Sequence, residues 1–215
     1  AFGDREPYRG ESWDDLLKRQ RVVIFAEAGS GKTREMQAQA QRLFENDEAA
    51  FFVPIEVLSS QELRPHLARQ AGHGERWDRW LSDETAKCWI FLDAVDELKL
   101  VNGKLENALS VVSSALGPAL SRAHILLSCR PSDWRPVQDM ETFIEKLPPP
   151  APIEALEDET NDPFLAPLDE DAPRGRARAR DDNLSEQTIR TVVLQPLSLG
   201  QMKVLGRALK VSDPQ

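Results

Sequence analysis

Residues 25–33, Phe25-Ala26-Glu27-Ala28-Gly29-Ser30-Gly31-Lys32-Thr33, have the types and order of a loop that wraps the phosphates of a nucleoside triphosphate. Small residues let successive backbone N–H groups turn inward around the β- and γ-phosphates. A helix opening near Gly31 would aim its positive dipole end at the same anion. Lys32 adds a mobile charge for the phosphates, and the Thr33 hydroxyl is placed to ligate Mg²⁺. The expected nucleotide-binding set is Glu27, Ala28, Gly29, Ser30, Gly31, Lys32 and Thr33. Ala26 stands where the commonest form of the motif has its first glycine. Alanine there demands an ordinary backbone conformation and leaves the cradle in place. The competing reading is a glycine-rich turn before a helix.

Two further segments narrow the chemistry. Trp89-Ile90-Phe91-Leu92-Asp93-Ala94-Val95-Asp96-Glu97 reads as an apolar strand ending in an acid, which sets Asp93 at the C-terminal rim of a sheet beside the loop. Asp93 is the expected Mg²⁺ ligand, acting through the ion's water shell. Asp96 and Glu97 follow on the same rim. Glu97 is the preferred base for the attacking water, with Asp96 supporting the metal shell. Both could instead be helix-starting acids that complement a dipole. His124-Ile125-Leu126-Leu127-Ser128-Cys129 is a further strand, and Arg130 emerges at its end. If that strand lies between the first and third, Ser128 and Arg130 reach the rim next to Asp93, and Arg130 can contact the γ-phosphate. The bland alternative is a surface ion pair from Arg130 to Asp133 or Glu97.

These residues need an alternating α/β frame to hold them. Arg21–Phe25 is a short β-branched run suited to a strand buried on both faces, and residues 33–44 have strong helix formers with Met36, Ala40, Leu43 and Phe44 on one side. Before them, residues 13–18 read as a short helix capped by Ser12 that packs Trp13, Leu16 and Leu17. Residues 51–57 are the expected second strand, with Pro54 favouring a sheet edge. Helices are expected at 61–70 and at 75–86, the latter burying Trp77, Trp80 and Leu81. Residues 87–92 form the third strand, and 104–120 a helix interrupted at Gly117-Pro118. Residues 188–194 restore a strand, and 199–209 begin an amphipathic helix.

Charge is unevenly spread along the 215 residues. The net charge is −9, of which residues 151–189 contribute −7, from 11 acidic and 4 basic side chains. The remainder is close to neutral, so nothing suggests a surface that coats nucleic acid. Seven prolines lie between Pro148 and Pro173, and Arg174, Arg176, Arg178 and Arg180 alternate with Gly and Ala. Such a stretch buries too little apolar surface to offset its ordering entropy. It reads as a solvated, self-neutralising linker, with a grip on phosphate or an acidic partner as the alternative. The expected plan is an N-terminal segment and short helix at 1–20, a phosphate-loop NTPase core at 21–147 and a flexible insertion at 148–187. A last core strand at 188–195 and the start of a helical lid at 196–215 complete it.

No apolar run approaches the roughly 20 residues of a membrane span, and no signal peptide is present. Cys88 and Cys129 fall at opposite ends of their strands, too far apart to bridge if the strands are parallel neighbours. Reduced thiols and a cytoplasmic location are the expectation. His66, His73 and His124 have no metal-ligand spacing with either cysteine, and the five tryptophans suit packing better than base stacking. Tyr8 is a candidate contact for the base. The chain begins without Met and ends mid-pattern at Pro214-Gln215, which reads as a piece of a longer protein.

Glu27–Thr33, Leu92-Asp93-Ala94-Val95-Asp96-Glu97 and Leu127-Ser128-Cys129-Arg130-Pro131 together resemble the NACHT family of STAND signal-transduction ATPases. The segments Trp13-Asp14-Asp15-Leu16-Leu17 and Leu194-Gln195-Pro196-Leu197-Ser198 are also similar to bacterial members. The resemblance implies a three-layer α/β sandwich with a parallel five-stranded sheet in the order 2-3-4-1-5. It matches Asp96 and Glu97 to a displaced Walker B pair and Arg130 to a sensor arginine. It further implies a nucleotide-gated switch that binds ATP and Mg²⁺, self-associates through the full-length protein and has relatives in antiviral defence. The family's winged-helix domain and sensor region lie beyond this chain, and the 148–187 insertion inherits nothing from the pattern.

The leading expectation is an ATP-binding, slowly hydrolysing switch module. A nucleotide-locked scaffold without meaningful hydrolysis is the second, and an AAA+-type motor the third, although neither an arginine finger nor pore loops are evident. No Asn-Lys-x-Asp guanine-reading motif follows a strand, which disfavours a GTPase. A small-molecule kinase would not need the Asp96/Glu97 pair.

Overall fold

Apolar runs without a central charge become the strands of one sheet: β1 (Arg21–Phe25), β2 (Ala49–Pro54), β3 (Cys88–Asp93), β4 (Ala123–Cys129) and β5 (Arg190–Val193). All adjacent pairs are parallel and the order is β2-β3-β4-β1-β5. The computed structural model describes residues 11–100, 104–150 and 189–194. Tyr8, most of the 148–187 insertion and the expected lid helix at 199–209 lie outside the described residues.

Parallel strands joined by helices bury both faces, and the register shows how. Val53, Leu92, Leu127 and Val23 line up across four strands on one face. Phe52, Phe91, Leu126 and Val22 line up on the other. Helices α1 (Trp13–Leu16) and α2 (Lys32–Glu45) cover this second face through Leu16, Met36 and Ala40. The opposite face takes α3 (Leu63–Leu67), α4 (His73–Ser82), α5 (Val95–Leu100), α6 (Leu105–Leu116) and α7 (Gln138–Lys146). The expected parallel five-stranded α/β architecture is therefore present, with helices on both faces. Among the described residues no helix is long and apolar enough to cross a membrane.

Local chemistry sets the element ends. Ser12 caps α1 by accepting the Asp15 N–H at 3.2 Å while Asp15 reaches back, which forms a capping box. The second strand is shifted from its expected 51–57. It begins at Ala49 and stops at Pro54, after which Ile55–Ser59 is a 3₁₀ turn. Pro54 lacks the N–H that would continue the ladder, and the turn instead points Ile55 and Leu58 into the core. Pro54 does sit on the edge strand, as its chemistry requires. Both central helices are shorter than expected. Gly72, at φ +76, starts α4, and the Asp83 carboxylate ends it by accepting the Thr85 and Ala86 N–H groups. Leu81 is 37% exposed, contrary to its expected burial. Trp77 meets Phe51 edge-on and lies 5.2 Å from Trp80, so these two indoles form the buried face, and the helix stops one residue after Leu81.

Cys88 pairs in register with Ala123, at the other end of β4 from Cys129, so both thiols are buried and free. His124 has the structural role expected of it. Its Nδ1 is 2.9 Å from the Arg19 carbonyl, its ring stacks on Trp89 at 5.1 Å, and Nε2 is buried without a partner. The Nδ1–H tautomer is thus the one that fits. Burial pushes the imidazole down from 6.5 to about 4, with Lys87 and Arg21 adding to the fall while the Arg19 carbonyl opposes it. A depressed folded pKa gives stability that is present above the unfolded value and lost as pH falls toward 4. The difference is worth about 3 kcal/mol, of which about 2 kcal/mol is gone by pH 5. Urea midpoints at pH 7 and pH 5 should show that loss in the wild type. They should not show it in His124→Phe, which keeps an aromatic ring on Trp89 and cannot take a proton.

Candidate nucleotide site

At the C-terminal end of β1, Ala26 is fully buried and donates its N–H to Cys129 O at 3.1 Å, in an ordinary backbone conformation. The chain then closes on itself through Ser30 N–H to Glu27 O at 3.2 Å. Gly29 and Gly31 have φ of +74° and +89°. An L-residue in that left-handed conformation costs about 1–2 kcal/mol, so the backbone favours glycine at both positions. A Cβ at either position would meet nothing within 4 Å, so the loop faces open space and not packed protein. Lys32 and Thr33 open the 14-residue α2 directly after it. The Ser30 hydroxyl is buried without a hydrogen-bond partner among the described residues.

Across the rim, β4 lies between β1 and β3, the condition that brings Ser128 and Arg130 next to Asp93. The buried Ser128 hydroxyl donates to Asp93 Oδ1 and accepts the Ala94 N–H at 3.0 Å. Ala94 is at φ +68°, a left-handed turn that redirects the chain into α5. That turn separates the two acids that follow. Asp96 is 3% exposed, whereas Glu97 faces out. Glu97 and Arg130 line one open cleft of about 580 Å³ with the whole 27–33 loop, Arg34 and Gln37. A second cleft of about 480 Å³, between α2 and β2, has neither the glycines nor an acid.

No family model and no curated protein matches this chain. The site's meaning rests on its own geometry and motifs.

Asp96 does something the sequence did not suggest. Its Oδ1 is 3.2 Å from Lys32 Nζ and its Oδ2 is 2.7 Å from Arg130 Nε. The Arg130 partner is thus Asp96, not Asp133 or Glu97 as the ion-pair alternative supposed. Arg130 Nε and Asp96 Oδ2 form no aligned hydrogen bond despite their closeness, so charge alone holds this contact. Thr33 is exposed in the first turn of α2 beside the bridged Lys32.

The segment carrying Arg130 is anchored from below. Asp139, 1% exposed, accepts from Lys99 Nζ at 2.6 Å, from Arg135 N at 2.9 Å and from the Arg135 guanidinium at 2.8 and 3.1 Å. Burial raises the Asp139 carboxyl, but these donors outweigh it and leave the group below the usual carboxylate range. Lys99 also donates to Asp133 O, which ties α5 to the turn after Arg130.

Glu56 is a rim residue that sequence reasoning missed. It lies in the 3₁₀ turn after β2, and its Oε2 is buried without a partner. Burial pushes its carboxyl up, and the charges of Glu97 and Asp93 push the same way against a bond to its own backbone. Reading 51–57 as a continuous strand hid it, whereas stopping the strand at Pro54 would have put Glu56 on the rim.

The oxygen donors Thr33 and Asp93 suit a hard cation such as Mg²⁺. Asp93 keeps Oδ2 outside its bond to Ser128. Among the described residues no group of three or more His, Cys, Asp or Glu side chains could hold a metal by itself.

Proposed function

We propose that this chain is an ATP-binding and slowly ATP-hydrolysing switch module of a larger signal-transduction or defence protein. The observation that carries the reading is the shared cleft. A loop with two left-handed glycines opens onto α2, and the cleft it forms is also lined by Glu97 and Arg130. The loop amides and the N-terminus of α2 receive the phosphates, with Lys32 as their counter-charge. Thr33 and Asp93 would hold Mg²⁺, which neutralises charge on the β- and γ-phosphates when bound.

Glu97 takes a proton from the attacking water. The water oxygen bonds to the γ-phosphorus as the bond to the β–γ bridging oxygen breaks, giving ADP and inorganic phosphate. Arg130 contacts the γ-phosphate and so differs in its partner between the two nucleotide states. The parallel order β2-β3-β4-β1-β5 is consistent with a phosphate-loop fold. The finer NACHT assignment, and with it a coupling of nucleotide state to self-association, rests on the three motifs at 27–33, 92–97 and 127–131.

Calorimetric titration with Mg-ATP tests the core of this reading. Lys32→Ala is expected to weaken binding at least tenfold, about 1.4 kcal/mol. Equal affinity in the two proteins, or no binding to the wild type, would remove the 27–33 loop from nucleotide recognition.

A further inference from the structure

Asp96 occupies a peculiar position for an acid beside a phosphate site. Its buried carboxylate lies between Lys32 and Arg130, at 3.2 and 2.7 Å. These are the two side-chain cations that the nucleotide reading assigns to phosphate. The Lys32 ammonium has a hydrogen bond to Oδ1, whereas the Arg130 contact has none and is held by charge. A phosphate that takes up these cations draws their charge away from Asp96.

The competition differs between nucleotides. A diphosphate fills the loop and draws on Lys32, leaving Arg130 to neutralise Asp96. A triphosphate adds charge at the γ position and draws on Arg130 as well. It then leaves Asp96 buried, without either partner, beside more negative charge. An unpaired buried carboxylate is strongly unfavourable, so the cost falls on the triphosphate complex far more than on the diphosphate complex. The isosteric amide of asparagine would carry no such cost.

We propose that Asp96 is a specificity-determining residue: it withholds Lys32 and Arg130 from the γ-phosphate and tilts the site toward the diphosphate. This role rests on the reading of the 27–33 cleft as a nucleotide site. It differs from the metal-shell support expected of Asp96 from sequence, in that the carboxylate's two oxygens face Lys32 and Arg130.

Equilibrium titrations of wild type and Asp96→Asn with Mg-ADP and with the Mg complex of a non-hydrolysable imido analogue of ATP distinguish these roles. Asp96→Asn is expected to tighten the triphosphate analogue at least tenfold and to change ADP affinity less than threefold. Equal changes for the two nucleotides would overturn the proposal. So would a weaker triphosphate complex, the result expected of a metal-shell ligand. If the wild type binds neither nucleotide, the underlying site reading fails and this inference falls with it. Binding of both nucleotides without a shift in their ratio defeats the Asp96 role alone. A measurement on the wild type needs no folded variant: the ¹⁵N resonance of the Arg130 Nε–H should move with the triphosphate analogue and stay in place with ADP. Equal movement with both would overturn the proposal.

Discussion

Replacing Arg21 with methionine lowers the free energy of unfolding by about 3–5 kcal/mol. Arg21 opens β1 at the end of the strand opposite the glycine loop and is 1% exposed. Among the described residues it has no carboxylate partner; its donors go to main-chain carbonyls instead. Nε donates to Leu147 O at 2.8 Å, Nη1 to Gln20 O at 2.8 Å and Ala123 O at 2.5 Å, and Nη2 to Leu120 O at 3.1 Å and Pro148 O at 2.7 Å. One planar fork thus ties the start of β1 to β4, to the 3₁₀ turn after α6 and to the chain leaving α7. Burial pulls the guanidinium down to about 10, which leaves it charged at neutral pH.

Methionine fills much of the stem's volume but satisfies none of these carbonyls, and unpaired buried acceptors each carry a desolvation cost. The predicted loss is a large part of a typical domain's total stability of about 5–15 kcal/mol. Guanidinium unfolding should show it as a lower midpoint. Arg21→Lys should recover only part of the loss, because an ammonium has three donors and no rigid fork. A methionine variant within about 0.5 kcal/mol of the wild type would show that the fork adds nothing.

Glu97→Gln should slow ATP hydrolysis by about 100-fold or more while leaving Mg-ATP affinity within about threefold. The amide keeps the size and polarity of the side chain but cannot accept the water's proton. Among the described residues the acids lining the cleft are Glu97 and the loop's own Glu27, whereas Asp93 is bound to Ser128 and Asp96 lies between two cations. Single-turnover hydrolysis paired with equilibrium binding separates the two quantities. Equal hydrolysis rates would take Glu97 out of the mechanism and turn attention to Glu56, the nearby rim acid whose carboxyl is held above its usual range.

Much of the frame was legible because its causes are local. The run Arg21–Phe25, the glycines at 29 and 31 and the helix formers after Lys32 act over a few residues, so strand, loop and helix could be read in order. Ser12 caps a helix three residues before its partner Asp15, and its place ahead of Trp13 marks it as an N-cap in sequence order. Errors arose where two local signals competed. At 51–57 the apolar run suggests a strand through Pro54, whereas the missing N–H ends the ladder there.

The types and spacing of side chains single out the loop, the acids at 93, 96 and 97, and the arginine at 130 as candidates, because each stands at or just after a strand end. Which acid meets which cation depended on long-range placement. Asp96 and Arg130 are brought within 2.7 Å by the adjacency of β3 and β4, and Lys32 joins them because β1 lies on the other side of β4. Arg21 is the extreme case: most of its acceptors lie about a hundred residues or more away, and a backbone carbonyl has no residue type to mark it. Local sequence can announce a group's chemistry, but the partner that restrains or releases that chemistry is chosen by how the strands pack side by side.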